Sequence, residues 1–276
     1  MAAGHKAGGW RIRAGSWILA LCAGLPMAAT GSGTPAPEWR NMSGLHFVVR
    51  YQGTRESAER ALQSAEADYH RISGDLGFVR QEDFWLWDKR VTICLYPDAA
   101  AFHQATQAPA WAAGKADHVR REISGSDAEA PFLSVFLPHE LTHLIFRDYI
   151  GFQSDAPLWL DEGVAQWETQ ADRGPAQARA KALAAAGRLT PLAELTRMDV
   201  RRETNVVVVQ DFYAQAAALI GYLIESGGLE RFASFCRRLR DGKDMADALR
   251  FTYPESLRSM AALEAGWRTY LGGGKP

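Results

Sequence analysis

Hydrophobic and polar positions along the chain change their rhythm once, from strand-like in the first part to helical afterwards. His46 to Tyr51 (His-Phe-Val-Val-Arg-Tyr) and Val91 to Tyr96 (Val-Thr-Ile-Cys-Leu-Tyr) are short, β-branched and aromatic, and read as strands. Between them Ala58, Leu62, Ala65, Tyr69 and Ile72 recur at helical spacing, which predicts an amphipathic helix over 55–74, broken by Gly74 and Gly77. Residues 105–115, with Pro109 and Gly114, read as a loop, and His118 to Ser124 as a further strand. Helices are predicted over 131–149, 158–170 and the alanine-rich 175–187. Phe212, Ala216, Leu219, Ile220 and Leu223 mark another, ended by Gly227-Gly228. Leu229, Phe232, Phe235, Cys236 and Leu239 mark the next, and Pro254 opens a last one carrying Met260, Leu263 and Trp267. Strands first and helices afterwards give an α+β class, a small N-terminal mixed β-sheet with helices followed by a mainly helical C-terminal part.

The first residues follow neither rhythm. Lys6, Arg11 and Arg13 precede an apolar run from Ala14 to Leu25, with small residues at Ala28, Ala29 and Gly31. This is the pattern of an export signal over 1–29, shorter than the roughly 20 apolar residues a membrane span needs. Two alternatives stay open, retention as an uncleaved membrane tether and lipidation of Cys22, against which bulky Leu21 argues. Residues 30–40, rich in Gly, Ser, Thr and Pro, read as a linker, 41–271 as one folded domain, and 272–276 as a frayed tail. The expected address is exported, periplasmic or extracellular.

Composition narrows the function classes. The chain of 276 residues is 47% hydrophobic and 23% charged, the profile of an ordinary globular protein. Its net charge is -1, and without residues 1–29 the balance is 28 basic against 32 acidic side chains. That excludes the strongly basic surface that nucleic acid selects. Cys94 sits in an apolar strand and Cys236 on an apolar helix face, which favours two buried thiols over a disulfide.

The candidate chemistry lies in the predicted helix 131–149. His139-Glu140-Leu141-Thr142-His143 fits the pattern HExxH. Residues four apart on a helix are about 6 Å apart along its axis and on nearly one face, so both imidazoles can reach one zinc ion. Glu140 between them is placed to take a proton from a water whose pKa the metal has lowered to about 7. The flanking residues, from Phe132 to Phe136 and from Leu144 to Phe146, are almost wholly apolar, and burying two histidines and a glutamate there is costly without a partner. Trp159-Leu160-Asp161-Glu162-Gly163-Val164-Ala165 follows, with eighteen residues between His143 and Glu162. Glu162 can supply a third ligand from an adjacent helix, leaving the open fourth position that catalytic zinc needs, and Gly163 permits close helix approach.

HExxH, that gap and Trp-Leu-x-Glu-Gly-x-Ala together resemble the gluzincin peptidases, and most closely the compact bacterial peptidase-MA-like domain. The resemblance spans about residues 43–271, strongly at 138–165, and includes Leu189 to Leu195, Phe212 to Ala216 and Trp267. It implies a zincin-like fold, one zinc per chain on His139, His143 and Glu162, Glu140 as general base, and peptide or protein substrates. Tyr213, fifty-one residues past Glu162, stands where related enzymes carry a tyrosine; it suits an oxyanion donor or a helix-packing aromatic. Phe146 and Tyr149 rule out the third-histidine metzincin pattern, and the lack of a Gly-x-Met-Glu-Asn stretch leans toward endopeptidase action. The competing reading is a zinc-binding envelope protein with little turnover and a binding or assembly role. His118 is a candidate to touch substrate or an ordinary surface residue. Gln166, one turn past Glu162, is a candidate to orient a ligand histidine. Asp161 reads as exposed or capping, and His46, His70 and His103 as incidental.

Overall fold

The computed structural model describes residues 38–77, 85–86, 89–109, 112–126, 131–152, 156–254 and 257–275. The expected signal at 1–29 and most of the linker lie outside these residues. Five strands form one mixed sheet in the order β1-β2-β3-β5-β4: β1 (Arg40–Ser43), β2 (Phe47–Tyr51), β3 (Val91–Tyr96), β4 (Gly114–Asp117) and β5 (Glu122–Ser126). β2, β3 and β5 are parallel, and β1 and β4 run antiparallel at the two edges. Helix α1 (Arg55–Asp75), started by Thr54 accepting from the Ser57 N–H, buries Ala58, Ala61, Ala65, Tyr69 and Ile72 and packs against β2. Helix α2 (Ala99–Thr106) starts at Asp98 and packs on β3 and β5. The α+β architecture is as expected.

The expected strand over His118–Ser124 is corrected. His118–Arg121 is the turn of a hairpin, because Asp117 accepts from the backbone N–H groups of Val119 and Arg120 and Arg121 takes a left-handed φ of 54°. The ladder lies on either side of it, as β4 and β5. The cross-strand pair Gly114–Gly125 is devoid of side chains, and the rings of Phe136 and Phe132 fill the space: an added Cβ would lie 2.3 Å and 2.2 Å from them.

Those two phenylalanines belong to a π-helical turn, Phe132–Phe136, that runs straight into α3 (Leu137–Ile150). Pro138 accounts for the wider turn, since it has no N–H for an i−4 carbonyl and its ring would crowd that carbonyl. Gly151, at φ 81°, ends α3. The single helix expected over 158–170 ends earlier. α4 (Leu158–Glu168) stops where Thr169 turns extended, and α5 (Gln170–Ala185) starts at once.

The remaining helices are α6 (Leu192–Leu195), α7 (Val206–Gly227), α8 (Leu229–Arg240), α9 (Met245–Thr252) and α10 (Met260–Leu271). Pro254 does not open the last one; Ser259 caps α10 by accepting from the Ala262 N–H. α7 is long and apolar enough to cross a membrane, but here it is the central core helix, packed on α4, α5 and α8. One apolar core runs from Phe47 and Ile93 in the sheet through Phe146 and Leu160 to Phe212 and Trp267. Cys94 and Cys236 are both free and buried, and burial pushes the Cys94 thiol up to about 12.

Candidate metal centre

α3 and α4 pack directly against one another, and the polar groups of both helices meet inside the core. His139, Glu140 and His143 on α3 are at most 1% exposed, and Glu162 on α4 is 5% exposed. His139 Nε2 lies 3.2 Å from His143 Nε2, and Glu162 Oε2 completes a triangle at 3.4 Å and 3.6 Å from them. Ligands about 2.0–2.1 Å from a tetrahedral zinc ion stand about 3.3–3.4 Å apart, so the three atoms already have the spacing of one face of such a site. Glu162 Oε2 is buried without a hydrogen-bond partner among the described residues, as is His139 Nδ1. A buried carboxylate oxygen facing two imidazole nitrogens is an arrangement that a cation between them would satisfy. The donor set therefore fits zinc, with two imidazole nitrogens and one carboxylate oxygen.

A second group capable of holding a metal, His46, Glu66 and His70, fails the same comparison. His46 Nδ1 and Glu66 Oε2 are 2.6 Å apart, a hydrogen bond rather than a ligand–ligand edge, and Glu66 Oε1 accepts from the His46 backbone N–H. This trio pins the β1–β2 turn to α1, with the His46 ring stacked on Tyr69 at 3.9 Å.

Asp161 is not the exposed or capping residue expected. It is 3% exposed and its Oδ1 lies 3.2 Å from His143 Nδ1, close enough for an ion pair though not aligned as a hydrogen bond. Arg147, one turn beyond His143, donates to both Asp161 oxygens through Nε and Nη2. Burial works to raise the Asp161 carboxyl, but the charges on His143 and Arg147 hold it far below the ordinary range. Burial likewise works to lower His143, while Asp161 and Glu162 push it up to about 9. Gln166 lines the neighbouring cavity, and the carboxylate that faces His143 is Asp161.

His118 reaches in from the β4–β5 turn, with Nε2 2.9 Å from Glu140 Oε2. Burial tends to raise Glu140, yet the His118 hydrogen bond and the nearby imidazoles hold it below its ordinary value. Tyr213 on α7 faces the same centre. Burial, then the charge of Glu162 and a hydrogen bond with it, push its hydroxyl well above the ordinary tyrosine value, so it stays a proton donor. Tyr213 also borders a cavity of about 490 Å³ whose walls include Val135, Phe136, Val209 and Ala214.

No curated protein matches the chain. Residues 86–273 match the family model of the Peptidase MA superfamily, a stretch that contains the hairpin, both site helices and α7. With more than half its length in that match and a metal-ready triad at its centre, the chain belongs to the Peptidase MA superfamily.

Proposed function

We propose that the protein is a zinc-dependent peptidase of the gluzincin type, with His139, His143 and Glu162 as ligands and Glu140 as general base. The observation that carries this reading is the triangle of donor atoms with edges of 3.2, 3.4 and 3.6 Å, formed inside a peptidase-superfamily domain. When bound, zinc supplies Lewis acidity, polarising the scissile carbonyl and bringing the pKa of an attacking water to about 7. Glu140 Oε1, buried and without a partner among the described residues, accepts that water's proton and returns it to the leaving amine nitrogen. Tyr213, kept protonated, donates to the oxygen that gains negative charge.

The surroundings support a peptide as substrate. β4 is an edge strand, along which an extended chain can add as a further strand. The apolar cavity beside Tyr213 suits an apolar side chain of that chain. Binding along an edge strand, rather than capture of a terminus, supports endopeptidase action. The charged start and apolar run of residues 1–25 support export, placing the activity in the periplasm or outside the cell.

The test is Glu140→Gln in zinc-loaded protein, assayed on a mixed quenched-fluorescent peptide set. Zinc content should be unchanged and cleavage should fall about 10²–10⁴-fold. Cleavage at the wild-type rate would sink the mechanism. Zinc-loaded wild type that cleaves none of the peptides would favour the binding or assembly role instead.

A further inference from the structure

The His118–Glu140 contact joins two parts of the chain that have no neighbourhood in sequence. His118 is 11% exposed and Glu140 1%, so the contact is largely buried. The contact is built rather than incidental. The hairpin carrying His118 is seated by the Gly114–Gly125 pair on Phe136 and Phe132, and those residues lead directly into the helix that carries Glu140. Asp117 shapes the turn through the N–H groups of Val119 and Arg120.

A buried carboxylate needs a donor, and that alone would explain one histidine beside it. The distribution of contacts goes further. Oε2 is taken by His118 Nε2, whereas Oε1 is buried with no hydrogen-bond partner among the described residues. We propose that His118 is a positioning residue for Glu140: its Nε2–H holds Oε2 and fixes the carboxylate so that Oε1 alone is presented to the reacting water. Holding Oε2 through Nε2–H leaves Nδ1 as the ring's other nitrogen, which has no hydrogen-bond partner among the described residues. The inference rests on Glu140 being the general base. It adds the device that keeps that base from swinging among rotamers, a freedom that costs rate because small misplacements at a reacting centre are expensive.

The experiment compares zinc-loaded wild type, His118→Ala, His118→Gln and Glu140→Gln on one fluorogenic peptide that the wild type cleaves. In His118→Ala, kcat should fall about 10–100-fold, while KM stays within about twofold and zinc content is unchanged. His118→Gln, whose amide N–H reaches a similar place, should recover most of kcat. Loss of zinc, a raised KM with kcat intact, or no rescue by glutamine would overturn the positioning role. Full activity in His118→Ala beside a dead Glu140→Gln would overturn it while leaving the base assignment standing. Full activity in Glu140→Gln would remove the base assignment itself. If the alanine variant does not fold, long-range ¹⁵N spectra of the histidine rings decide. His118 should show a protonated Nε2 whose resonance shifts in Glu140→Gln, and indifference to that substitution would overturn the proposal.

Discussion

Asp161 Oδ1 faces His143 Nδ1 at 3.2 Å, on the opposite side of the imidazole from the nitrogen that points at His139 and Glu162. Arg147 holds Asp161 through two guanidinium nitrogens, so the carboxylate is fixed from α3 as well as from its own helix. A carboxylate behind a ligand histidine sets the ring's orientation and raises its basicity. Asp161→Asn should therefore weaken zinc binding about 10–100-fold, read by competition with a fluorescent chelator. Unchanged affinity would remove Asp161 from the site.

Gly163, next to Glu162, lies where α4 crosses α7. An added Cβ would stand 2.9 Å from Ile220 Cγ1 and 3.0 Å from the backbone oxygen of Ala216. Because the second obstacle is main chain, α4 must move. Gly163→Ala should cost about 1–3 kcal/mol in urea unfolding and weaken zinc binding through displaced Glu162. An unchanged midpoint would show that the two helices yield without strain.

Glu168 closes α4 in full burial, with Arg71 Nη1 at 3.0 Å and Arg173 Nη2 at 3.5 Å. Burial, helped by Asp75, outweighs the two guanidiniums and pushes the carboxyl up to about 7 from its ordinary 4.5. Between those values the folded state holds a proton that the unfolded chain has lost. The resulting stability is fully present below about pH 4.5 and is lost as pH rises through about 7. Its full size is roughly 3 kcal/mol as an order of magnitude. Urea midpoints of wild type and Glu168→Gln between pH 4.5 and 8 check this, and the wild type should fall relative to the variant as pH rises. A difference between them that does not vary with pH would refute it.

The elements legible in the sequence are those whose period announces a buried face. β2, β3 and α1 were visible because apolar residues recur every second or every third to fourth position. β1 was not, since Arg40-Asn41-Met42-Ser43 is mostly exposed and is ordered by pairing with β2 rather than by any pattern of its own. The short helices α2, α6 and α9 carry too few apolar residues for a period, although Asp98 and Asp244 cap α2 and α9. The hairpin was misread as one strand because Asp117 reverses the chain through side-chain contacts that no hydrophobic pattern records.

At the site, His139 and His143 are legible because helical spacing puts residues four apart on one face, Glu140 because HExxH sets it between them, and Glu162 because of the Trp-Leu-x-Glu-Gly-x-Ala resemblance rather than any spacing on the same helix. Asp161 was a harder case. It neighbours Glu162, and its partner Arg147 lies one turn beyond His143, but only the packing of α3 on α4 turns it inward. His118 depends on the seating of a hairpin against a π-helical turn, which sequence spacing does not encode.

Metal content tests the central claim most directly. Purified residues 30–276, wild type and His143→Ala, would be dialysed at neutral pH with zinc, freed of excess metal and analysed for bound ion. The account predicts about one zinc per wild-type chain and loss of it in the variant, because removing His143 leaves two of the three ligands. A wild type that holds no zinc, or a variant that holds as much, would contradict the metal centre.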